Sequence, residues 1–195
     1  MDRRQALRAL GTAAAGAMTT PLWVKSLGAM SRQQAHAHSA RSAMDVTEWT
    51  PTVLNAHQNE SVIVFTELII PETDTPGAKA VRVNRFVDSV LSEAKPEDRD
   101  KFLNGLSWMD ERSRALYGKD FTAAAPVDQT ALLTRLSAQD NPDKEAPIGR
   151  EFFEVIKGMT IDGYYTTEIG LRKELGDSGQ LFQAVSQGCD HPQHQ

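Results

Sequence analysis

Three carboxylates crowd one short stretch of the chain: Glu67, Glu72 and Asp74 in TELIIPETDTPGA, residues 66–78. Such a set would move protons or hold a divalent cation if a histidine or a second acidic cluster stood at ligand spacing. None does, and a stiff connector is the favoured reading. Pro71 ends a helix, Pro76-Gly77 makes a turn, and Thr73, Asp74 and Thr75 have short side chains that bond nearby amides. Tyr164 and Tyr165 follow Gly163; they would line a sugar pocket, or sit half in the core and half at an interface. Trp108, on a helix whose opposite face is charged, is likewise either core or an interface anchor. Cys189 is the only cysteine. Within CDHPQH three readings stay open: a disulfide to another chain, an inert thiol, or a metal-binding tail with His191 and His194. The last has too few ligands for a closed zinc site without help from a second chain.

No signature of independent catalysis accompanies these residues. The chain contains no GxGxxG, P-loop, CxxC, haem-attaching CxxCH or GxSxG. No catalytic, cofactor-binding or metal-binding residue is assigned.

The N-terminus reads as an address. In MDRRQALRAL, Arg3 and Arg4 with Leu7 follow the twin-arginine pattern, which exports folded proteins; Asp2 and Ala6 depart from it. Leu10 to Met18 carries no charge, and Ala35-His36-Ala37 offers small residues where a signal peptidase reads. Residues 1–37 are therefore expected to be the leader, delivered by the twin-arginine translocase to the periplasm. The alternative is an amphipathic N-terminal helix or anchor. Lys25 and Arg32 interrupt the run of ~20 apolar residues a membrane span needs. The first 37 residues carry a net +4, so the −5 of the whole chain leaves −9 on the remainder. An acidic body without a basic run argues against nucleic acid as a partner.

Positioning falls to helices. Residues 38–53 are small and polar, a flexible lead-in, and residues 54–195 form one domain. Asn55–Ile70 predicts a central helix ending before Pro71. Arg85–Leu91 predicts a second, with Phe86, Val87, Val90 and Leu91 on one face. Pro96 opens a third that runs to Tyr117 and stops at Gly118. Pro126–Leu136 and Pro147–Met159 repeat the formula, the latter with Phe152, Val155, Ile156 and Met159 along one face. No segment alternates with hairpin signals, so the class is all-α: a compact bundle of about five to six helices with long loops.

The stretch TELIIPETDTPGAKAVRVNRFVD (66–88) resembles the signature of the gluconate 2-dehydrogenase subunit 3 family. Phe152-Phe153 leading to MTIDGYYTTEIG (159–170), then ELGDSGQLF and the terminal GCDHP, agree with it. The family loop falls on Pro71, Asp74, Thr75, Pro76 and Gly77. The resemblance implies a small helical subunit, itself without a cofactor, beside a large FAD-dependent dehydrogenase of the GMC type that oxidises sugars, sugar acids or polyols. A cytochrome c subunit with haem c often joins such complexes and ties them to the inner membrane. It also implies an escort role, the small subunit carrying the only export signal. The competing reading is an independent exported binding or enzymatic protein using Glu67, Glu72, Asp74 and Tyr164.

Overall fold

A computed structural model of the chain describes residues 20–41, 49–138 and 147–176. Among them every regular element is helical. The α-helices are α1 (Leu22–Arg41), α2 (Ala56–Ile69), α3 (Val83–Glu93), α4 (Pro96–Tyr117), α5 (Pro126–Ser137) and α6 (Pro147–Tyr165). A 3-10 turn at Phe121–Ala123 and a π-helix at Ile169–Glu174 complete the set.

Local chemistry sets the boundaries. Asn55 and Gln58 cap α2 reciprocally: each side chain accepts the other's backbone N–H at 2.9 Å. Pro96 and Pro126 stand at the start of α4 and α5, where a missing N–H costs nothing. Gly118 takes φ 74°, and its N–H closes the last turn of α4 on the Arg114 carbonyl.

The central helix is α6, which touches all five other α-helices and the π-helix. The sequence pattern had pointed to α2 instead. Helix α2 buries only Ser61, Val62, Phe65 and Thr66, and its remaining apolar residues are half-exposed along the edge of the bundle. The apolar face expected on α6 is buried in full, and Phe152 links two neighbouring helices. It meets Phe65 of α2 and Phe102 of α4 edge-on, at 5.4 and 5.2 Å between centroids. Phe65 in turn stacks on Phe121 of the 3-10 turn at 4.2 Å.

Two N-terminal features are set by tertiary contacts. Residues 22–41 form one helix that crosses the anticipated 37/38 boundary and lies along α6, α3 and α4. The lead-in is tied down where it is described. Asp88, only 2 % exposed, accepts the N–H groups of Thr52, Val53 and Leu54 at 2.7 to 3.0 Å, which ties residues 52–54 to α3. A carboxylate that takes three backbone amides forms charge-assisted bonds, which outweigh the entropy of a short extended segment.

Packing distances make two glycines respond in opposite directions to the same change. A Cβ on Gly105 of α4 would stand 2.6 Å from Phe152, whereas one on Gly158 of α6 would meet nothing within 4 Å. Alanine improves helix propensity by about 1 kcal/mol at either position, but overpacking costs about 1–3 kcal/mol. Gly158→Ala should raise the denaturant midpoint and Gly105→Ala should lower it.

Candidate functional site

The loop from Pro71 to Ala78 is built as a mount. Glu67, in the last turn of α2, places its carboxylate under the loop and accepts the N–H of Glu72 at 2.9 Å and of Lys79 at 2.8 Å. Both ends of the loop therefore hang from one side chain. The Ala78 N–H returns to the Ile70 carbonyl at 2.9 Å, and the Thr73 N–H donates to the Thr75 carbonyl at 3.0 Å. Gly77 lies in the crease, where a Cβ would come within 2.4 Å of a Glu67 carboxylate oxygen and 2.6 Å of the Glu72 nitrogen. Only a residue without a side chain lets the carboxylate reach both amides.

The C-terminal end of α6 supplies the other anchor. Tyr164 is fully buried, and its hydroxyl donates to the Pro76 carbonyl at 2.8 Å. Gly163 beside it lets Phe86 of α3 approach, since a Cβ there would lie 2.8 Å from that ring. Past α6 the π-helix folds back so closely that a Cβ on Gly170 would sit 2.3 Å from the Tyr164 carbonyl oxygen. This fold-back brings Glu174 to the loop, where it accepts the Thr75 hydroxyl at 2.8 Å. The two motif stretches, 66–88 and 159–170, are thus halves of one structural unit.

Each candidate residue now has a place. Thr75, Gly77 and Ala78 are buried as the foot of the loop, and Pro71, Glu72, Thr73 and Asp74 form its exposed ridge. Glu67 is engaged with backbone amides, and Thr73 donates to Asp74 at 2.8 Å, so the acidic stretch serves the loop's own geometry. Among the described residues no three His, Cys, Asp or Glu side chains converge to hold a metal ion. Tyr164 belongs to the core of this chain; Tyr165, half-exposed, packs edge-on against it at 5.2 Å. Trp108 is half-buried over the first turn of α6, where a Cβ on Gly149 would come within 2.1 Å of its ring. Arg3, Arg4, Leu7 and Cys189 lie outside the described residues, as do His191 and His194.

A histidine–carboxylate pair went unnoticed in the sequence. His57 Nε2 donates to Asp110 at 2.6 Å, and the other Asp110 oxygen accepts the Phe121 N–H at 3.0 Å. Such a pair is half of a nucleophile-activating system, but the nearby Ser61 hydroxyl donates to the His57 carbonyl at 3.0 Å rather than to its ring. Asp110 therefore joins α2, α4 and the 3-10 turn. Its partners lie 53 and 11 residues away, which no local motif announces. An open groove at the junction of α4 and α5 is lined by Tyr117, Pro126, Val127, Ala131 and Thr134, with Arg135 as its charged group.

If the Glu67 clamp holds the loop, Gly77→Ala should destabilise the protein by about 3 kcal/mol, because charge-assisted bonds are worth ~1.5–3 kcal/mol each. Adding Glu67→Ala should cost little more, since the clamp is already lost; additive losses in a denaturation double-mutant cycle would contradict the coupling. Tyr164→Phe, which removes one neutral hydrogen bond, should cost only about 1 kcal/mol.

No curated protein and no solved structure matches the chain significantly. The family model for gluconate 2-dehydrogenase subunit 3 matches residues 56–177, more than half of the sequence. That span begins at α2, contains the mounted loop and its Tyr164 anchor, and runs just past the π-helix. The chain belongs to the gluconate 2-dehydrogenase subunit 3 family, the small subunit of a dehydrogenase complex.

Proposed function

We propose that this protein is the non-catalytic small subunit of an exported FAD-dependent dehydrogenase for a sugar, sugar acid or polyol, and that it escorts the flavoprotein through the twin-arginine translocase and then stabilises it. The family match over residues 56–177 carries the reading. FAD resides in the GMC-type large subunit, and a cytochrome c subunit receives the electrons and holds the complex at the periplasmic face of the inner membrane. A flavoprotein must acquire its cofactor before export, so the pair leaves folded on the single signal at Arg3 and Arg4.

The geometry of the loop supports a docking role. A ridge whose ends are both clamped loses little conformational freedom on association, so its contacts are not offset by ordering. Glu72 and Asp74 give that ridge a negative charge and would favour a basic surface on the large subunit. The groove at Tyr117 and Val127, the latter 73 % exposed, offers an apolar contact of the kind that fills on assembly.

Arg3→Lys combined with Arg4→Lys should leave both this chain and its flavoprotein in the cytoplasm, measured as periplasmic dehydrogenase activity with an added electron acceptor. Undiminished periplasmic activity would refute the escort role. Glu72→Lys should keep the thermal midpoint of the free chain within a few degrees, because the side chain is exposed and the bond to Glu67 runs through the backbone N–H. The same substitution should lower recovery of the flavoprotein by roughly tenfold in co-purification, the effect of ~1.4 kcal/mol at an interface.

A further inference from the structure

The stretch between the twin arginines and the family domain is built into the fold. Trp23, Leu27, Ser31 and Ala35 recur every fourth residue along α1, and none is more than 7 % exposed. That row lies against the central helix α6. Trp23 Nε1 donates to Glu151 at 2.9 Å and the Ser31 hydroxyl donates to Asp162 at 2.7 Å, across 128 and 131 residues of chain. Gln34 adds a weaker bond, at 3.4 Å, to the Ser89 carbonyl of α3. Ser31 is completely enclosed. Without α1, the Asp162 carboxylate would lose that donor, and the surface of α6 beneath Trp23 and Leu27 would face water. A tryptophan alone covers ~150–250 Å².

The consequence concerns processing. Ala35-His36-Ala37, the stretch that resembles a peptidase site, lies inside this helical span, with Ala35 buried at 7 % exposure. A protease cuts a folded segment only through a locally opened state, so the free energy that docks α1 lowers the population of that state and the cleavage rate with it. We propose that α1 is a permanent helix of the folded subunit and that the removable leader ends before Leu22: the packing of residues 22–35 on α6 withholds Ala37 from the peptidase.

Two measurements on the full-length chain test this, and the first does not depend on export. In limited trypsin digestion followed by mass spectrometry, Arg32, whose side chain is exposed, reports opening of α1. Trp23→Ala with Ser31→Ala should accelerate cleavage after Arg32 by roughly 100-fold or more, the equivalent of removing a buried aromatic from a packed site. Cleavage of the unmodified chain after Arg32 as fast as in the double variant would overturn the proposal. The second measurement is the N-terminal residue of the unmodified protein recovered from the periplasm, which needs no variant to fold. A start at or before Leu22 supports a retained helix, and a start at His38 sinks it. Failure to find the protein in the periplasm would count against the export reading alone, while the trypsin result would still decide whether α1 is docked.

Discussion

Every helix of the bundle has to reach α6, and side-chain volume is what would keep it away. At three contacts that volume is absent: Gly149 receives the Trp108 ring, Gly105 receives Phe152, and Gly163 receives Phe86. With backbones this close, the phenylalanines contact several helices at once, and dispersion summed over such contacts holds the core. The remaining elements inherit their positions from this one constraint. If α6 stood one side-chain radius further out, Tyr164 would not reach Pro76, and α1 would have no surface on which to set Ser31 and Trp23.

The loop depends on the same placement. Its two supports come from opposite directions, Glu67 from the end of α2 and Tyr164 from the end of α6. A segment rich in proline and threonine would otherwise sample several turn geometries at an entropic cost of ~1–2 kcal/mol per ordered residue. With that cost met during folding, the ridge from Pro71 to Asp74 is shaped by this chain's own contacts.

Carboxylates in this protein gather amides. Asp88 holds Thr52, Val53 and Leu54, Glu67 holds Glu72 and Lys79, and Asp110 holds Phe121 together with the ring of His57. The common reason is electrostatic: an ionised oxygen near low-dielectric surroundings attracts N–H donors about twice as strongly as a neutral one does. Carboxylates, a residue type suited to acid–base work, thus join segments that lack regular hydrogen bonding of their own. The Glu67–Asp74 stretch shows why an acidic cluster in sequence is a poor guide to catalysis without its tertiary partners.

Helix existence and type were legible because they rest on short-range rules. The apolar spacing of α3, α4 and α6, the opening prolines and the stop at Gly118 all act within a few residues, and a resemblance spanning two motifs identified the family. The connector character of PETDTPGA was also readable, since proline and short polar side chains act locally. Which helix is central was not, because burial depends on what packs from outside and α2 is as apolar as α6. Tyr164 likewise reads as a pocket-lining residue, or as half core and half interface, until the fold sets Pro76 against its hydroxyl. The row Trp23, Leu27, Ser31, Ala35 was visible at helical spacing, but the arginines ahead of it and the small residues at its end fit a leader equally well. Only the tertiary structure supplied Glu151 and Asp162, more than a hundred residues away, as the hydrogen-bond partners of Trp23 and Ser31.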